Sequence, residues 1–230
     1  MWWTNRQARE GAERKVQALE REWETDTGRD TEWGAIGGDE GGGTVRGGAA
    51  PGPEPSSGGS SPRASGSYSD SGSLANPRPR WTQAYAILSI PRLDLRVPVA
   101  EGVGKVGVLN KGYVGHYPGT AQPGRAGNFA LAGHRNTHGE PFRYINRLRR
   151  GDRVEVETRA AVYTYVVDRT LPQTSAGDGG TIREVPRSTV RPAYGYTEPG
   201  YYLTLTTCTP EYTSKYRLVV WGKLSSMRPR

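Results

Sequence analysis

From Trp81 onward the chain runs in short stretches of β-branched and aromatic residues, each closed by Gly, Pro, Asn or Asp. That punctuation points this part of the chain to an all-β sandwich or barrel. Candidate strands are AYAILSI (84–90), RVPVA (96–100), NFALAGH (128–134), RVEVET (153–158), AVYTYVVDRT (161–170), YYLTLTT (201–207) and YRLVVWGKL (216–224). In the last of these, Leu218, Val220 and Gly222 share one face and Val219, Trp221 and Lys223 the other. A short helix is expected over 142–148.

The first third of the chain has a different texture. Residues 25–80 are rich in Gly, Ser and Pro, with runs such as GGDEGGG and PGPEPSSGGSSPRASGS, and offer almost nothing to bury, which predicts a flexible, disordered linker. Before it, Trp3, Ala8, Ala12, Val16, Leu19 and Trp23 recur at helical spacing among many charges. That pattern predicts a helix over 1–24 with a thin apolar stripe, either solvated or docked. A domain over 81–226 follows, long enough for one core. The apolar fraction of 34% fits a chain only part of which packs.

Lys and Arg outnumber Asp and Glu by 31 to 23, so the surface attracts anionic partners. No zinc-finger spacing, aromatic RNP-type strand or basic zipper accompanies the charge, and no nucleic-acid partner is expected. No run of 18 apolar residues occurs, so no transmembrane helix is written in this sequence.

The single cysteine, Cys208, excludes an intramolecular disulfide. It closes the run YYLTLTT and is followed by Thr209-Pro210, so it sits at a strand end among polar neighbours rather than among core residues. His134 ends the run FALAGH. A thiol of pKa about 8.5 needs such a proton acceptor to be a nucleophile near neutral pH. Arg217 lies on the strand that returns after Cys208, close enough along the chain for the two strands to pair and bring a fixed positive charge beside the thiol. His134 and His138 are four apart, which on a helix would suggest a metal pair. Here they flank a turn with no adjacent carboxylate, and no metal is expected.

These segments match a known family. TLTTC (204–208), followed by Arg217 in RLVV, resembles the sortase signature of a Cys-containing strand with a downstream arginine, and ALAGHR (130–135) resembles the segment around its histidine. GHYPGTAQPGRAGNFALAGHR (115–135) is similar to class E sortases of high-GC Gram-positive bacteria. The resemblance implies an eight-stranded β-barrel and a transpeptidase. It cleaves an LAxTG or LPxTG sorting signal of secreted proteins between Thr and Gly and passes the acyl group to a cell-wall amine. It further implies Cys208 as nucleophile, His134 as general acid/base, Arg217 as oxyanion and substrate stabiliser, and no cofactor. Thr207, Tyr117, Tyr113 and His116 are candidate substrate contacts, with Thr207 alternatively a hydroxyl that orients the cysteine, and His116 is a second histidine available to the thiol. LPQTS (171–175) looks like a sorting signal but is expected to be loop, part of a long connection over 168–189. Class E sortases carry a membrane anchor; Trp2 and Trp3 suggest that one precedes Met1, making 1–24 a membrane-proximal stalk on the extracytoplasmic face. Two other functions fit the residues: a cysteine hydrolase or peptidase on the same scaffold, and a non-catalytic module binding wall polymers.

Overall fold

The computed structural model describes residues 2–30 and 78–230. Among them, eight strands close a barrel: β1 (Ala84–Ile90), β2 (Leu95–Glu101), β3 (Val114–His116), β4 (Gly127–Ala132), β5 (Arg153–Thr158), β6 (Ala161–Ser175), β7 (Tyr201–Thr209) and β8 (Tyr216–Pro229). Around the barrel they follow the order β1-β2-β3-β4-β7-β8-β6-β5. The expected class, mainly β with an eight-stranded barrel and an N-terminal helix, is the class observed. Neighbours are antiparallel except β2 with β3 and β4 with β7, which are parallel.

Alternation along each strand builds two faces. Phe129 and Leu131 of β4, Leu203 and Leu205 of β7, and Leu218 and Val220 of β8 point inward and join the main core with Leu88, Ile90, Val154 and Val156. The outward face of the same three strands is also covered. There Tyr202, Val219 and Trp221 pack with Leu171 of β6 and with Tyr196, from the long connection 176–200 between β6 and β7. Polar bonds fasten that connection to the sheet. Trp221 donates its indole N–H to the Thr181 carbonyl at 3.1 Å, and Asn128 donates to the Arg183 carbonyl at 3.0 Å. Inside the connection, the buried Asp178 carboxylate accepts bonds from the Thr174, Ser188 and Thr189 hydroxyls and from the Thr189 backbone N–H.

The helix α1 (Trp2–Asp30) docks on the outside of the barrel. Its stripe Ala8, Ala12, Val16, Leu19 and Trp23 is buried, and Val16, Leu19 and Trp23 pack against the outward-facing Ile87 and Ala100 and against Val108. The helix runs past the expected end at 24. Thr25 folds its hydroxyl back onto the Arg21 and Glu22 carbonyls, satisfying itself within the helix, and residues 25–30 expected as linker are helical. The remainder of that linker, 31–77, lies outside the described residues.

Two further expectations, LPQTS as loop and a helix over 142–148, need correction, and a strand without a sequence signal, β3, joins the barrel. LPQTS is strand: Leu171 pairs with Val219, Thr174 with Arg217 and Ser175 with Tyr216 of β8. A register shift between Leu171 and Thr174 accommodates Pro172, which cannot serve a regular ladder. The long connection therefore begins at 176, later than expected. β3 has three residues, too few to show a period in the sequence. The helix expected over 142–148 is only a 3-10 turn, Ile145–Arg147, consistent with a segment too short to sustain helix nucleation.

Burial alone would raise the Asp178 carboxyl pKa, but the hydrogen bonds from Ser188, Thr174 and Thr189 outweigh it and hold it below 3.8. The carboxylate therefore contributes stability that is fully present above about pH 3.8 and is lost as pH falls through the lower folded value. Asp178→Ala should cost about 1–3 kcal/mol at pH 7, because it strips several donors of their buried acceptor. The gap from wild type should narrow below about pH 3.8. Denaturant unfolding at both pH values checks this.

Candidate active site

Two strand registers bring the chemistry-bearing residues together. β4 and β7 run parallel with Ala132 beside Thr206, and the Gly133 N–H continues the ladder to the Thr206 carbonyl at 3.2 Å. The paired register ends there; His134 follows Gly133 on the β4 side and Cys208 follows Thr207 on the β7 side. On the other side of β7, the antiparallel register pairs Cys208 directly with Arg217 of β8. By strand alternation Thr204, Thr206 and Cys208 lie on the outward face of β7, opposite the core residues Leu203 and Leu205. Cys208 and Arg217 thus stand abreast at one rim of the barrel, outside the core, and the chain leaves β4 for His134 toward the same rim.

The neighbourhood of each is built from backbone and side-chain bonds. Thr207, facing inward, donates its hydroxyl to the Gly133 carbonyl at 2.8 Å and ties the residue before His134 to the residue before Cys208. Arg135 is buried and donates to the Cys208 carbonyl at 3.2 Å and to the Thr209 hydroxyl at 2.9 Å. Gly133 has no room for a side chain: a Cβ there would lie 2.7 Å from the Phe142 ring. The Phe142 N–H in turn donates to the His134 carbonyl at 3.0 Å. Cys208 itself is half-buried.

His134 Nε2 lies 2.9 Å from the Asn110 side-chain oxygen. With that oxygen as acceptor, Nε2 carries the proton and Nδ1 is left with the lone pair. The imidazole stacks on His138, with ring centroids 5.2 Å apart. Burial, then the charges of His138 and Lys105, hold the His134 pKa down to about 4, so the ring is neutral at pH 7. Among the described residues no cluster of three His, Cys, Asp or Glu side chains suits a metal ion.

Arg217 donates from one terminal nitrogen to the Ser214 and Tyr216 carbonyls at 2.8 and 3.0 Å, which holds the guanidinium at the start of β8. It lines a groove of about 140 Å³ on the outward face, together with Tyr117, Thr206, Ile182 and the start of the 176–200 connection.

A sortase domain model matches residues 88–225, more than half of the chain. The chain belongs to the sortase family. It is 52% identical to sortase E1 of Streptomyces coelicolor over 153 residues, which are 64% of this chain and 42% of that protein. It is 35% identical to sortase E2 of the same organism over 142 residues, 60% of this chain and 54% of the relative. The chain therefore spans about half the length of these curated relatives. Among solved structures, sortase E1 of S. coelicolor, crystallised with a tripeptide in its active site, superposes with TM-score 0.61 at 51% identity, covering 65% of this chain and 92% of that one. Sortase E of Streptomyces avermitilis gives TM-score 0.57 at 41% identity, over 65% and 93%. Class E is thus the sortase class these comparisons support.

Of the residues expected to touch a substrate, only Tyr117 lines the groove, with its hydroxyl 3.0 Å from that of Thr206. His116 is completely buried, between Glu101 at 2.7 Å, Tyr85 at 3.0 Å and Thr120 at 2.9 Å, so it neither faces a substrate nor competes with His134 for the thiol. Tyr113 packs beside the α1 cluster, and Thr207 is buried against Gly133. Neither borders the groove. Asn110 and Arg135, which contact His134 and the Cys208 backbone, carried no signal of their own in the sequence. Arg135 adjoins His134 in ALAGHR, and only that adjacency could have marked it.

His138→Asn should raise the His134 pKa from about 4, because it removes one source of repulsion while leaving the burial. The chain has 3 histidines, so the shift can be followed by NMR titration of individual imidazoles.

Proposed function

We propose that this sortase is a cysteine transpeptidase acting at the cell surface, and that Cys208, His134 and Arg217 carry its reaction on sorting signals of the LAxTG or LPxTG type. The observation that carries this reading is the direct pairing of Arg217 with Cys208, the only thiol, together with the parallel β4–β7 register that sends the chain leading to His134 toward the same rim.

The Cys208 sulfur, having given its proton to the free Nδ1 of His134, adds to the carbonyl carbon of the signal's threonine. The resulting oxyanion lies toward Arg217, whose charge is permanent and whose position is fixed by its own hairpin carbonyls. Collapse of the tetrahedral species breaks the Thr–Gly C–N bond. The His134 imidazolium gives its proton to the departing glycine amine, leaving a thioester on Cys208. An amine of a cell-wall precursor then adds to the thioester carbon, loses its proton to His134 and expels the thiolate.

The low pKa of His134 bears on these steps in opposite directions. An imidazolium that forms reluctantly is a strong acid, suited to protonating a departing amine, but little of it exists at rest. Asn110 holds Nε2 and so commits Nδ1 to the proton transfers. Tyr117 and Thr206, joined by their hydroxyls in the groove beside Arg217, supply polar contacts for the backbone of an extended peptide.

Incubation with an LAxTG peptide should give, by mass spectrometry, an acyl adduct on Cys208 that is absent in Cys208→Ala. An added oligoglycine or diaminopimelate-type amine should divert the adduct to a transpeptidation product. Cleavage without amine capture would make the protein a hydrolase. Unchanged cleavage in Cys208→Ala would overturn the assignment. Arg217→Ala should slow adduct formation by about 10²–10³-fold, the usual effect of losing one oxyanion donor.

A further inference from the structure

Helix α1 lies outside the matched sortase domain, yet its N-terminal half touches both segments that hold His134. The first is the 3-10 turn Leu109–Lys111, which carries Asn110, the partner of His134 Nε2. The glycine that closes this turn, Gly112, lies so close under the helix that a Cβ there would be 2.8 Å from the Ala8 carbonyl oxygen. The second is the loop leaving His134. Asn5 donates to the Glu140 carboxylate at 2.7 Å, and Arg9 donates to the Gly139 carbonyl at 3.2 Å.

That loop needs an external hold. His138, Gly139 and Glu140 all have positive φ, at 52°, 84° and 53°, a run that L residues other than glycine adopt only when their surroundings impose it. The Glu140 carboxylate, nearly buried, is the point where the hold is applied. It accepts from Asn5 of the helix and, at 2.7 Å, from Arg143. Arg143 reaches the Tyr212 hydroxyl at 3.3 Å in the hairpin between Cys208 and Arg217. A continuous polar path thus runs from α1 through Glu140 to both sides of the site.

We propose that α1 is a positioning element for His134: Asn5 and Arg9, acting through Glu140 and Gly139, fix the loop that sets the imidazole beside Cys208. None of these residues touches a reacting atom. The effect on turnover rests on the reaction assigned above, whereas the effect on the imidazole does not.

The test uses the full chain with Asn5→Ala, half-buried, and Arg9→Ala, exposed, combined, and separately Glu140→Gln from the barrel side. The His134 imidazole resonance and its titration are read in the resting protein without substrate, and kcat and KM with an LAxTG peptide. Both variants should shift the His134 resonance and raise its pKa above about 4 as solvent reaches the ring. Turnover, kcat, should fall about 5–20-fold with KM within about twofold, a split expected when only transition-state geometry is disturbed. A His134 resonance and pKa identical to wild type in the Asn5/Arg9 variant would overturn the proposal. Absence of any turnover in the wild type would fail the functional reading alone and leave the imidazole measurement to decide this one.

Discussion

The parallel pairing of β4 with β7 is the constraint on which the site depends. Parallel neighbours end at the same rim, so the residue that leaves β4 and the residue that closes β7 meet there, and β8 begins beside them because it returns antiparallel. An antiparallel β4 would send His134 to the opposite rim from Cys208. The pairing requires a long excursion between the two strands, and β5, β6 and the 176–200 connection provide it, closing the barrel on the way.

That excursion also makes the outward face of β7 unlike an ordinary barrel exterior. Thr204 and Thr206 are buried there rather than wet, under a connection bolted to Trp221 and Asn128. Each buried hydroxyl is satisfied: Thr204 donates to Asn128 at 2.7 Å and Thr206 to the Leu131 carbonyl at 3.2 Å. Cys208 is the point on this face where cover gives way to access. The thiol is half-buried beside Arg217, at the edge of a face whose neighbouring hydroxyls are covered.

The histidines show how one residue type serves three ends. His116 is enclosed by a carboxylate and two hydroxyls and serves the core. His138 stacks on His134 and adds to the burial that disfavours its charged form. His134, with one nitrogen committed to Asn110, is left with a single nitrogen for proton exchange. Sequence spacing offered all three as candidates; the neighbours that separate them come from segments up to 31 residues away in the chain.

The sequence by itself determined the β class, the course of most strands, the helix with its stripe, and a lone cysteine at a strand end, because alternation, helical periodicity and punctuation are local signals. The resemblance to sortases supplied the barrel and the pairing of His134 with Cys208 and Arg217. Tertiary structure decided what depends on contacts between distant segments: that Thr207 bonds to the Gly133 carbonyl and ties two strands, that LPQTS is a bulged strand, that Asn110 meets His134 and Arg135 the Cys208 carbonyl, and that α1 lies against the barrel. A thin apolar stripe is compatible with a solvated helix or a docked one, and only the matching surface of Ile87, Ala100 and Val108, assembled by the barrel itself, selects between them.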